Sequence, residues 1–217
     1  MTEKLITISD ASAAAAEAYR ALRTNIIFND AVEKLSALLV TMPAPESNSG
    51  SKATLAANLA VTIAQSGRST LLVDCDLRHP SQHKIWGISN DVGLGTVLES
   101  GDELRVANVG VDNLSVLPSG PRPENPADLL GSRQMEDLIA QLRTQAEFIL
   151  FDAPPVLAVT DAALLATKMD GVLLVINAGE TRRDHVERAR EILERVRARV
   201  IGAVLNNAPV DSSISTY

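Results

Sequence analysis

The stretch PESNSGSKATLAANLA, residues 45–60, sets Lys52 at the start of an apparent helix behind a run of small residues. That arrangement suits phosphate. The first turn of a helix points unpaired N–H groups outward, and a lysine there adds a mobile positive charge for the terminal phosphates. Two carboxylates follow in LLVDCDLRHP, where Asp74 and Asp76 stand two apart at the end of an aliphatic run. Side chains two apart on a strand face the same side, and oxygen donors so placed suit Mg²⁺ and its waters. Asp152, in FILFDAPP, ends an apolar run just before small residues and prolines. A carboxylate in that setting holds or orients water of a metal shell. Taken singly, each has a plain structural reading: a surface loop before a helix, or an aspartate capping a turn. Their order along one chain favours the chemical one.

To work together, these residues need strands that end at one edge of a sheet, the first of them followed by a helix. SALLVTM (36–42), STLLVDCD, EFILFDAPP, DGVLLVINA and RVIGAVLNN all read as buried strands. Apolar residues recur at helical spacing from Lys52 to Gln65, and Gly67 closes that segment. RRDHVERAREILERV places Val186, Ala189, Ile192, Leu193 and Val196 on one helical face, and the Ala-rich stretch over residues 11–29 favours helix. Strands alternating with helices need crossover connections, which predicts an α/β fold with a doubly wound, mainly parallel sheet. PSGPRPENPADLLG (118–131) is expected as a surface loop leading into a helix. With no repeat and no long linker, one domain is expected over residues 1–217, ending in a short tail over 209–217.

Composition agrees with this picture. With 46% hydrophobic but only 3% aromatic residues, the core has to be aliphatic, as buried parallel strands are. A net charge of −7 argues against nucleic acid as a general partner. Cys75 is the one cysteine, so no internal disulfide forms and a reducing, cytoplasmic setting is expected. No apolar run approaches the ~20 residues that span a bilayer, so direct membrane insertion is not expected.

Taken together, these motifs resemble the cytoplasmic domain of the bacterial tyrosine kinases that govern capsule and exopolysaccharide export, relatives of the MinD and ParA partition ATPases. The resemblance runs from Ile6 to Ala208. EAYRALRTNIIF is similar to that family's entry helix, and Glu17, Arg20 and Arg23 fit its E-x-x-R-x-x-R pattern for ring assembly. LLVDCDLRHP matches its second acidic motif through Asp74, Asp76 and Arg78. FILFDAPPVLAVTDA matches its Walker B segment through Asp152, with Asp161 where the family has a further Asp. Asn206 in AVLNN stands where these proteins contact the nucleotide base.

The resemblance implies a P-loop NTPase fold with ATP and Mg²⁺ as cofactors, bound by Ser49, Gly50, Ser51, Lys52, Ala53, Thr54 and Asn206. It implies that Lys52 neutralises β- and γ-phosphate charge, that Asp76 and Asp152 hold the metal, and that Asp74 orients or deprotonates the attacking group. Arg78 is an implied supporting contact and Tyr217 the implied phosphoacceptor. A homo-oligomer is implied, together with a membrane polysaccharide co-polymerase partner that places the chain at the inner face of the membrane.

The phosphate loop departs from the family. Ser51 replaces the glycine before the lysine, Ala53 replaces the metal-ligating Ser or Thr, and the loop from Thr41 to Lys52 is longer than usual. A glycine there commonly takes positive φ or lets the backbone approach phosphate closely, so a side chain costs on the order of 1–3 kcal/mol. The missing hydroxyl leaves one metal position to water. The residues leave three readings: an active kinase with an unusual loop, a degraded relative working through assembly, and a partition-type ATPase switch. The altered loop favours the second.

Overall fold

Every side chain of ALLVT is buried, a pattern that fits a strand covered on both faces. A computed structural model describes residues 5–32, 35–45 and 50–208 and places that run as β1, Ala37–Thr41. β2 (Thr70–Asp74) and β5 (Phe148–Asp152) are buried along their whole length in the same way. β6 (Gly171–Asn177) and β7 (Val200–Asn206) complete the strands expected from the sequence. A short pair, β3 (Ala107–Asn108) and β4 (Leu114–Leu117), was not expected. β3 is too short and too exposed to announce itself, and it exists through its antiparallel pairing with β4.

The sheet runs β3-β4-β2-β5-β1-β6-β7, parallel except for β3 against β4. β5 lies between β1 and β2, so the chain passes over one strand position on its way from β1 to β2. In open α/β sheets that kind of crossing leaves a crevice at the C-terminal strand ends, where ligands bind.

Helices cover both faces. The chain opens with a single turn, α1 (Ile6–Ser9), and the long α2 (Ala14–Val32), which starts and ends about a turn later than the Ala-rich run suggested. α3 (Gly50–Gln65) crosses from β1 to β2. The short α4 (Gln82–Trp86) and α5 (Leu94–Ser100) follow β2. α6 (Pro126–Gly131) begins inside the proline-rich stretch, its Pro126 at the first helical position where a missing N–H costs nothing. α7 (Arg133–Gln145) is capped by the Ser132 hydroxyl, which accepts from Met135 N. α8 (Asp161–Ala166) and α9 (Arg183–Arg195) finish the other layer.

Alternation along each strand divides the core. Phe148 and Leu150 pack on one face with Leu38, Val40 and the α3 residues Leu55, Leu59 and Ile63. Ile149 and Phe151 pack on the other with Met135, Leu142, Leu165 and Leu193. α3 is apolar nearly all round because the sheet covers one side and α2 the other. Its few polar positions hold the entry helices: Asn58 Oδ1 accepts from the N–H and hydroxyl of Thr7, and Arg23 Nη1 donates to the Thr62 carbonyl at 3.1 Å. Among the described residues no helix is long and apolar enough to cross a membrane.

Candidate active site

Asp152 sits where the central strands end. Register sets it beside Val40 of β1 and Asp74 of β2. The chain after it stays fastened to the exit of β1, through Ala153 N to the Val40 carbonyl and the Thr41 hydroxyl to the Pro154 carbonyl at 2.7 Å. Strand pairing alone therefore brings the second and third acidic motifs against the start of the phosphate loop.

Lys52, in the first turn of α3, turns inward. It is 3% exposed, and its ammonium donates to Asp152 Oδ1 and to the Ala153 carbonyl at 2.6 Å. Burial alone would loosen the lysine proton. The charges of Asp152, Asp76 and Asp74 outweigh it, so the ammonium holds its proton more tightly than a free lysine. Asp152 Oδ2 accepts from Gln82 Nε2 at 2.7 Å, so both carboxylate oxygens have partners.

Asp74 is buried and occupied by backbone. Oδ2 accepts from Ser81 N and Gln82 N at 3.0 and 2.9 Å, and Oδ1 from Asp76 N at 3.2 Å. It thereby fixes the turn from β2 into α4. Burial, with the Asp152 charge added, pushes its carboxyl up to about 7. Asp76 is also raised, chiefly by burial, while its Oδ1 accepts from His79 N at 3.0 Å.

Ser51 corrects an expectation. It lies within α3, and among the described residues only Asn113, Arg197 and Asn207 are non-glycines at positive φ. The backbone strain anticipated from positive φ does not arise there. Its hydroxyl accepts from Asn177 Nδ2 at 2.9 Å, and Asn177 Oδ1 accepts from Asn206 Nδ2 at 2.9 Å. A chain of polar groups thus joins the start of α3 to the ends of β6 and β7. Ala53 is buried and offers no oxygen from its side chain. Thr54 is half-buried, its carbonyl accepting from Asn58 Nδ2, and Gly50 opens α3. Ser49 lies outside the described residues, as does Tyr217.

A cleft of about 800 Å³ opens beside these groups, with Asp76, Arg78, His83, Lys84, Pro154 and Pro155 among its walls. Arg78 makes a two-pronged pair with buried Asp161, at 2.9 and 3.0 Å. That geometry aims the planar guanidinium and leaves its side chain 25% exposed. The residues expected at an assembly contact are engaged within the chain: Arg20 pairs with Glu17 and donates to the Ala11 carbonyl, and Arg23 reaches α3.

Asp76 and Asp152 supply hard oxygen donors, which fit Mg²⁺. Among the described residues no three His, Cys, Asp or Glu side chains form a metal-holding group. Mg²⁺ takes one or two carboxylates and completes its shell with phosphates and water, so these two side chains would be enough to hold it. Gln82 and Asn177 were missed by sequence reasoning. Neutral amides carry no motif, and their partners lie 70 and 126 positions away.

Known proteins agree on a family. The ParA family model, described as NUBPL iron-transfer P-loop NTPase, matches residues 49–213. The tyrosine-protein kinase YwqD of Bacillus subtilis is 38% identical over 208 residues, covering 95% of this chain and 86% of that protein. The kinase domain of the Escherichia coli tyrosine kinase ETK is similar in structure, with a TM-score of 0.89 at 31% identity, covering 96% and 83%. The cell division ATPase MinD of Pyrococcus furiosus follows at a TM-score of 0.63 and 25% identity, covering 78% and 71%.

Proposed function

The chain belongs to the bacterial tyrosine-protein kinases, within the ParA-type P-loop NTPases, and from that premise we propose a role in controlling capsule or exopolysaccharide synthesis with weakened ATP binding and phosphotransfer. One observation carries the reading: the phosphate-loop lysine is buried against the carboxylate meant for the metal, beside a residue 53 without a hydroxyl. A nucleotide has to draw Lys52 out of a buried ion pair before its phosphates gain a counter-charge.

In the proposed site the first-turn amides of α3, with Ser49, Gly50, Ser51, Ala53 and Thr54, surround the phosphates while Lys52 neutralises them. Asp76 and Asp152 would hold Mg²⁺, which would offset charge building on the transferred group. Arg78 and Asn206 support the nucleotide. Where transfer occurs, the bond from the γ-phosphorus to the bridging oxygen breaks and a bond to a tyrosine oxygen forms. ADP leaves, and the phenolic proton passes to a carboxylate. Tyr217 is the proposed acceptor on a neighbouring copy, with Glu17, Arg20 and Arg23 at the contact. A membrane co-polymerase would bring the assembly to the inner face of the membrane.

Calorimetric titration of ATP with and without Mg²⁺ tests this. Weak binding with little dependence on Mg²⁺, strengthened by Ala53→Ser and abolished by Lys52→Ala, is the expected result. Micromolar, strongly Mg²⁺-dependent binding by the parent would overturn it in favour of an active autokinase with a longer loop. That second reading draws on the three aspartates being retained and on the proton affinity of Asp74 near neutrality. It would show phosphate at Tyr217 by mass spectrometry after incubation with ATP.

A further inference from the structure

Asp152 is held from two directions by partners of different kinds. Lys52 is a flexible cation whose working place is on a phosphate. Gln82 is a neutral amide fixed on every side. Its Nε2 donates to Asp152 Oδ2 at 2.7 Å and to the Ala53 carbonyl at 3.0 Å, while its Oε1 accepts from Trp86 Nε1 at 3.2 Å. Its backbone N–H is tied to Asp74 at 2.9 Å, and the residue is fully buried. No phosphate chemistry draws such a group away.

We propose that Gln82 is the positioning residue of this site: it keeps the Asp152 carboxylate oriented and hydrogen-bonded when Lys52 leaves it for a nucleotide. Without it, that departure would strand a buried carboxylate with no donor, and binding would bear the whole desolvation penalty. Gln82 also spans from Asp152 to the backbone of residue 53, whose side chain has no hydroxyl to reach the carboxylate. The inference rests on the nucleotide-binding reading above and adds to it a residue that works without metal.

The test is calorimetric titration with a nonhydrolysable ATP analogue, with and without Mg²⁺, on the parent, Gln82→Met and Gln82→Glu, with thermal melts as a check on folding. Gln82→Met keeps the length and loses the donors. It is expected to weaken metal-free binding about tenfold or more and to recover much of that loss with Mg²⁺, which can take over the carboxylate. The ratio of metal-free to metal-bound Kd therefore rises about tenfold over the parent. Gln82→Glu sets a second carboxylate against Asp152 and is expected to weaken metal-free binding at least as much as Gln82→Met, with recovery again on adding Mg²⁺. Equal losses with and without Mg²⁺ would mark a merely structural residue and overturn the proposal, as would an unchanged ratio. A parent with no measurable binding in either condition would instead overturn the nucleotide reading itself, and this inference with it.

Discussion

The Lys52 ammonium donates to the Asp152 carboxylate across the junction of α3 and β5, with side chains 4% and 0% exposed. A buried pair contributes little net stability over an apolar pair, but breaking it from one side is costly. Lys52→Ala is expected to destabilise the fold by about 3–5 kcal/mol, read from urea denaturation, with Asp152→Asn in the same chain restoring a large part. A loss under about 1 kcal/mol would mean that water already shares the pair.

The raised carboxyl of Asp74 makes stability depend on pH. Its folded value of about 7 lies above the ~3.9 of an unfolded aspartate, so between these values the folded state binds more protons than the unfolded. Its contribution is complete below pH ~4, declines as pH rises to about 7, and is then level. Asp76 shifts the same way and adds to the slope. Denaturant midpoints of Asp74→Asn should therefore gain on those of the parent as pH rises across this window. A difference that stays constant with pH would reject the assignment.

Ser51→Gly relieves no strain, because Ser51 is helical, and it removes the hydroxyl bonded to Asn177. A loss of about 1–2 kcal/mol is expected, from the lost hydrogen bond and the added backbone freedom. A gain in melting temperature would show that the loop does resist a side chain at this position.

Arg78→Ala would leave the fully buried Asp161 without its two-pronged partner. We expect a loss of about 3 kcal/mol or more for Arg78→Ala and less than half of that for Arg78→Ala with Asp161→Asn. Arg78→Lys should recover little, since an ammonium cannot match the fork. Thermal melts of the three variants distinguish these outcomes.

Replacing Arg20 and Arg23 by Ala is expected to reduce self-association while the domain stays folded. Arg23 carries the larger stability cost, about 1 kcal/mol, through its bond to the Thr62 carbonyl of α3. Sedimentation showing the same mass for both versions would reject the assembly role, and circular dichroism would report on the fold.

The central strands were legible because burial on both faces leaves a mark: β1, β2 and β5 are nearly continuous apolar runs, and two of them end in aspartate. From those runs Lys52, Asp74, Asp76 and Asp152 could be placed together. β3 was not legible, since one half-buried and one exposed residue obtain their structure from β4 rather than from any pattern of their own. Ser51 was misjudged because the sequence does not reveal that α3 begins at Gly50, which puts the serine in a helical backbone. Gln82 had no signature because its task exists only once α4 is folded against β5.

α3 begins at Gly50 and is gripped further along, at Asn58 by Thr7 and at Thr62 by Arg23. A helix of 16 residues is a stiff strut about 24 Å long, with no slack joint between the grip and the tip. Mechanically, the entry segment and the first turn of α3 are therefore coupled. A tilt imposed at the grip is also a tilt of the tip.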